Sequence, residues 1–274
     1  MKHLLAQNLK KNILSPYFVT AVLIILLSGL ITYFRNQVVL GLAEAGPIGP
    51  ENVFIYSNIK NNPGMSLLAP LVATACNIPL YRSMQSQLNG TAEGRTLTRG
   101  YIGTQAISAG LTGVLVFLCT YAVSLALCFL LAPGQSEMLF APFGQFEGIY
   151  RQSLFLYCLA FIAHSALFGL CYALFGMGLY CAMKSEFAAL VLPVVLYYGT
   201  TFLNAFLPES VTNLAAYVIP SLTFEISTLD VPLLTHLTQL LAILLAALLC
   251  LYKFYRKERG RVKGAEEPLH KGMA

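Results

Sequence analysis

Long apolar runs, separated by short polar stretches that hold the charges, set the pattern of this chain. Between consecutive charged residues, six gaps are wide enough to cross a bilayer: Lys11 to Arg35, Lys60 to Arg82, Arg99 to Glu137, Arg151 to Lys184, Glu186 to Glu209, and Asp230 to Lys253. Each gap predicts one membrane-crossing helix. The pattern places them near Tyr17 to Phe34, Met65 to Tyr81, Tyr101 to Leu131, Ser153 to Met183, Phe187 to Phe206 and Pro232 to Tyr252. No run alternates apolar and polar residues as a barrel strand does, so each span is expected to satisfy its own backbone as a helix. The third and fourth exceed the roughly 20 residues a span needs, and so must tilt or project.

Composition agrees. Hydrophobic residues make up 57% of the chain and charged residues 11%, whereas a soluble domain carries roughly a quarter charged. The fold class is an all-α integral membrane protein with six transmembrane helices. Orientation follows from the basic residues, which stay on the cytoplasmic side of span ends. With the N-terminus inside, only Arg35, Lys60 and Arg151 of the 17 basic residues fall outside, so both termini are expected in the cytoplasm. The net charge of +5 then reports topology and contact with anionic headgroups rather than nucleic-acid binding. Residues 1–14 form an amphipathic interfacial helix, with Leu5, Leu9 and Ile13 on a stripe opposite Lys2, Lys10 and Lys11. Residues 15–256 form the six-span domain, and 257–274 a basic cytoplasmic tail.

Candidate chemistry is sparse. None of the six spans contains an Asp, Glu, Lys or Arg, the residues that mark ion paths and proton relays. His164, on the fourth span, is the one candidate polar pathway residue, and its plain alternative is a neutral histidine bonded within the bundle. All seven cysteines sit inside spans without a Cys-x-x-Cys spacing, so no disulfide framework or metal site is expected and the small apolar side chains serve packing. No hydrolase elbow or zinc helix occurs. "GLYCAMKS", Gly178 to Ser185, follows the phosphate-loop pattern except that Met183 stands where the second glycine must let backbone amides curl around phosphate. Lys184, Ser185 and Glu186 read instead as a tight cytoplasmic turn between spans four and five.

A multispan chain without ion-coupling charges or a nucleotide site either transports passively or draws energy from a partner. Three cytoplasmic pieces offer a grip: the N-terminal helix, the polar loop Ser83 to Thr98, and the turn at 184–186. This order of parts resembles the permease subunits of ABC exporters of the ABC-2 type, over the whole chain as topology. In that family the loop before span three often carries an acidic residue, Gly-Thr and a basic residue, and docks on the ATPase. Here Gly90, Thr91 and Arg99 match, while the acidic residue before Gly-Thr and the proline before the arginine are absent. The resemblance implies a multi-pass protein of a bacterial cytoplasmic membrane that exports a hydrophobic or amphipathic cargo such as a drug, a peptide antibiotic or a lipid. It implies an ABC ATPase subunit that holds the ATP, a second permease chain, identical or related, and a coupling loop presenting Glu93 and Arg95. The alternatives are a passive channel or a membrane scaffold without an ATPase; an intramembrane enzyme lacks its acid, base or metal set.

On the outer side, residues 132–152 are expected to cap the pathway or lie in the interface, and the short segment 211–219 to form a re-entrant or interfacial helix ended by Pro220. Ala106 with Gly110, Ala109 with Gly113, and Ala173, Gly176 and Gly178 are spaced for close helix contact. Tyr17, Tyr33, Tyr81, Tyr101 and Tyr252 are placed as interface anchors. Met183 also carries a prediction. The purified chain alone neither binds nor hydrolyses ATP, which equilibrium binding of a labelled nucleotide checks; stoichiometric binding sinks the turn reading.

Overall fold

In the computed structural model, the described residues are 2–39, 48–59, 62–90, 99–132, 134, 147–204 and 233–271. They form helices and turns, with no strand among them. In chain order the helices are α1 (Lys2–Ile13), α2 (Pro16–Val39), α3 (Pro50–Phe54), a π-helical turn (Ile55–Ile59), α4 (Pro63–Ala75), α5 (Ile78–Gly90), α6 (Arg99–Leu131), α7 (Glu147–Gln152), α8 (Leu154–Met183), α9 (Glu186–Asn204) and α10 (Leu233–Lys271).

Four helices among the described residues are long and apolar enough to cross a membrane: Pro16–Asn36, Gly100–Leu131, Leu154–Met183 and Leu237–Lys257. They coincide with the first, third, fourth and sixth expected spans. The other two runs differ for stated reasons. The second is broken at Cys76 and Asn77 into α4 and α5, neither of which is long enough alone. Of the fifth, α9 covers Glu186–Asn204, and its residues from 205 onward lie outside the described residues.

Local sequence accounts for the starts. Ser15 accepts the Phe18 amide at 3.2 Å and Pro16 occupies the first position of α2, where a missing N–H costs nothing. Asn62 accepts the Met65 amide at 3.0 Å, with Pro63 next. At 33 and 30 residues, α6 and α8 run about 50 and 45 Å at 1.5 Å per residue, longer than the roughly 30 Å hydrocarbon core. The basic tail is not separate from the last span, because the backbone of α10 stays helical through Lys271.

The core is built around α8. Its apolar window is 61% buried, against 33% for each of the other three spans, and it packs on α3, α4, α6, α7, α9 and α10. Closest approach occurs at Gly113 of α6 and Gly169 of α8. A Cβ on either glycine would collide with the other's carbonyl, so only glycine lets these backbones meet. Ala173 packs at the same crossing, while Gly176 abuts Thr74 and Tyr81, and Gly178 abuts Ala247 of α10. The expected small-residue contacts at Gly113, Ala173, Gly176 and Gly178 therefore serve packing within the chain. Beyond the glycines an aromatic column fills the interior. Phe54, Tyr121 and Phe161 meet edge to face at 5.0 to 6.3 Å, and Phe117 joins them to Phe168, Tyr172 and Tyr197.

Three expectations need correction. Tyr81 is fully buried and stacks on Tyr180 at 4.9 Å, so it is a core residue rather than an interface anchor. The residues of α1 buried under the bundle are Asn8 and Asn12, with Leu5, Leu9 and Ile13 only half-buried beside them. Ser83 to Gly90 belongs to α5 rather than to a loop. A fourth finding is new. Residues 50–59 do not lie outside the bundle: Pro50, Asn52 and Phe54 through Ile59 are buried and pack on α2, α6 and α8.

The two classes of glycine respond oppositely to one change. Gly113→Ala is expected to cost about 1 to 3 kcal/mol by overpacking a backbone contact. Gly103→Ala, where an added Cβ meets nothing within 4 Å, is expected to be neutral or to gain up to about 1 kcal/mol of helix propensity. Thermal unfolding in detergent distinguishes them.

Candidate coupling face at one end of the bundle

Arg82, at the first turns of α5, is the residue on which three separate segments converge. Its Nε donates to both carboxylate oxygens of Glu186, at 3.2 and 3.4 Å, tying α5 to the start of α9. Its guanidinium lies 5.4 Å from the ring centre of Tyr17, at the start of α2. Glu186, and behind it Tyr17, hold the guanidinium pKa above its already high ordinary value, so Arg82 stays charged wherever the protein is folded. An ion pair this exposed adds little to folding. What it fixes is geometry, because it joins the α1–α2 junction, α5 and the 184–186 turn at one end of the molecule.

The turn is itself well specified. The Tyr180 carbonyl accepts the Lys184 amide at 2.7 Å, and Lys184 closes α8 in the left-handed region at φ 55° and ψ 32°. Glycine is the usual residue there, since a Cβ in that conformation costs about 1 kcal/mol. Ser185 then accepts the Ala188 amide at 3.3 Å and caps α9. Gly178 to Met183 are thus the last turns of a membrane helix, Gly178 packed on α10 and Met183 exposed.

Beneath the charged surface lies a polar layer that sequence reasoning missed. At the break between α4 and α5 the buried Asn77 donates to the carbonyls of Ala73 and Ala109, both at 3.4 Å. Its own carbonyl oxygen accepts from Asn12 of α1 at 3.1 Å, and Asn12 also donates to Thr112 Oγ1 of α6 at 3.0 Å. Thr112 in turn donates to the Ser108 carbonyl at 2.8 Å. A second polar layer holds the inserted segment. Asn58 donates to Ser57 Oγ at 2.6 Å and to Ser124 Oγ of α6 at 3.1 Å, Ser28 of α2 donates to Asn62 at 2.7 Å, and Asn36 donates to the Tyr56 carbonyl at 2.7 Å. The available signal was an uncharged amide inside an apolar run, with Asn8 and Asn12 one helical turn apart.

Of the residues singled out in the sequence, Lys184, Ser185 and Glu186 sit on this face. Gly90 ends α5 and Arg99 begins α6, while Thr91, Glu93 and Arg95 between them lie outside the described residues, as does segment 211–219. His164 is buried in α8 and engaged with its neighbours, about 29 Å along the helix from Met183 at 1.5 Å per residue. Among the residues whose side chains are described, no Asp, Glu, Lys or Arg is buried, and no group of three His, Cys, Asp or Glu side chains is gathered as a metal would require. No family model, curated protein or solved structure matches this chain.

The strain at Lys184 has a measurable sign. Lys184→Gly is expected to raise the midpoint of thermal unfolding, by an equivalent of about 0.5 to 1 kcal/mol, and Lys184→Val to lower it. Unfolding monitored by circular dichroism in detergent checks both.

Proposed function

We propose that this chain is the membrane-spanning permease subunit of an ABC-2-type exporter, with ATP bound and hydrolysed on a separate ATPase chain. The observation that carries the reading is the convergence on Arg82. The N-terminal helix junction, the helix that precedes residues 91–98 and the 184–186 turn meet at one end, through Tyr17 and Glu186. These are the segments such a partner must grip together if its motion is to reach the spans. Lys10, Lys11, Lys184, Lys253, Arg256 and Lys257 are exposed in the segments that reach this end, and the positive-inside rule makes it cytoplasmic. On this reading the broken α4–α5 unit is the second span and α9 the fifth, giving six spans with both termini inside.

Coupling to an ion gradient has no buried charge to work through among the described residues. The same property favours a hydrophobic or amphipathic cargo. A single bundle whose interior is filled by the Phe54–Tyr121–Phe161 column also fits a pathway formed between two permease chains, identical or related. It fits a passive, permanently open pore poorly.

The test uses the full chain purified from its own membrane, with bound proteins identified by mass spectrometry. An ABC ATPase is expected to co-purify, and reversing Glu93 and Arg95 together is expected to uncouple ATP hydrolysis from transport while the protein stays folded. Those side chains are cytosolic on this reading, so folding loses little, whereas a docking contact left unpaired costs roughly 2 to 5 kcal/mol. Arg82→Glu is expected to weaken association, and Arg82→Glu with Glu186→Arg to recover part of it. Co-purification without any ATPase, or unchanged association and transport in the Glu93 and Arg95 variant, favours a passive protein.

A further inference from the structure

A lateral trough of about 850 Å³ opens between α6, α8 and α10, within the roughly 300 to 1,000 Å³ of small-molecule sites. Leu170 and Leu174 of α8 face it, with Ile107 and Leu111 contributed by α6 and Leu248 by α10. The trough exists because α6 presents Gly103, Ala106 and Gly110 on that side, three positions on one helix stripe. An added Cβ at Gly103 meets nothing within 4 Å. Along α6 the trough runs from Ile102 to Leu111, about 14 Å at 1.5 Å per residue. Half of a hydrocarbon core is about 15 Å, so the trough is as deep as one leaflet.

Its two ends differ in chemistry. Leu111 and Leu248 lie toward the middle of their helices, while Tyr252, Tyr255 and Arg256 line the end where Ile102 and Phe254 join Tyr81 and Tyr180 in the core beneath the Arg82–Glu186 face. Tyrosine and arginine at that depth are headgroup-level residues. Arg256 is exposed, with Lys253 and Lys257 exposed on the same turns of α10. An apolar slot one leaflet deep, ending in a guanidinium, is complementary to a single kind of occupant. We propose that the trough holds an acyl chain of an anionic phospholipid from the leaflet on the Arg256 side, with its phosphate resting on Arg256. This requires only that the helices span a bilayer, and stands apart from whether the chain belongs to an exporter.

The sequence supplies a clean assay, because it contains no tryptophan. Ile107→Trp places a single fluorophore on the trough wall, and Leu27→Trp places one on the exposed side of α2 as a reference. Each full-length variant is reconstituted in vesicles of phosphatidylcholine and phosphatidylglycerol, with bromine on the acyl chains of one lipid at a time to quench nearby tryptophan. At position 107 the expected result is a preference for phosphatidylglycerol of about fivefold, the effect of one basic residue at an anionic surface. The preference falls to near unity with Arg256→Gln, returns with Arg256→Lys, and is absent at position 27. Gly103→Phe, which fills the open trough, reduces quenching at position 107 for both lipids. Millimolar inorganic phosphate leaves the preference unchanged if a lipid is held, and abolishes it if the site is for free phosphate. Equal preference for the two lipids overturns the proposal, as does a preference that survives Arg256→Gln, which assigns it to diffuse charge. No quenching at position 107 overturns it too, by placing a second copy of the chain over the trough. Helicity by circular dichroism certifies each variant, and Leu248→Trp on the opposite wall replaces any Ile107→Trp protein that does not fold.

Discussion

A polar group in hydrocarbon finds its partner inside the chain or not at all, and Asn77 is where this structure depends most on that rule. Breaking a helix at Cys76 and Asn77 interrupts the backbone ladder in the interior of the bundle. The Asn77 side chain answers by donating to the carbonyls of Ala73 and Ala109, so that the break is held against α6. Its remaining oxygen needs a donor, which Asn12 supplies. This explains why α1 packs with asparagines inward: the helix is held to the bundle by the amide that completes Asn77, with Thr112 as the second acceptor.

The same rule shapes the opposite polar layer. The short helix and π-helical turn over residues 50–59 enter the bundle, where unpaired backbone groups would each cost several kcal/mol. Asn36, Asn58 and Asn62 bond the segment to itself, to α2 and to α6. Between the two polar layers the packing is apolar and tight, with Gly113 against Gly169 and the aromatic column above α8.

At the charged end lies the contact on which the proposed export reading rests. Arg82 is too exposed for its ion pair to matter to folding, yet it bridges segments that are 65 and 104 residues away along the chain, at Tyr17 and Glu186. On the proposed reading, a partner pressing on any of these segments would act on α5, α9 and the α1–α2 junction together. The break at Asn77 lies immediately beneath, where α4 and α5 are joined by two turn residues rather than by a continuous helix. Backbone bonds still cross this junction: Asn77 donates to the Thr74 carbonyl, and the Asn77 carbonyl accepts from Leu80 and Tyr81.

The sequence alone determined that the chain is helical and built for a membrane, where four of its helices begin and where α6 and α8 end, and that Gly178 to Met183 finish a helix. Each follows from local information: the length of an uncharged run, a serine beside a proline, or a methionine in place of a glycine. Tertiary structure alone decided the rest. Hydropathy treats Asn77 as one tolerable polar residue in an apolar run, and nothing local says that Asn12 and Thr112 lie close enough to make a break there stable. It reads residues 50–59 as too short to span, and cannot tell a segment lying outside from one buried against α2, α6 and α8. It counts Arg82 and Glu186 as charges on one side of a membrane, without pairing them. The reason is common to all three: the partner that satisfies each group sits on another helix, tens of residues away, and its distance is set by backbone contacts such as Gly113 on Gly169 that no single stretch of sequence contains.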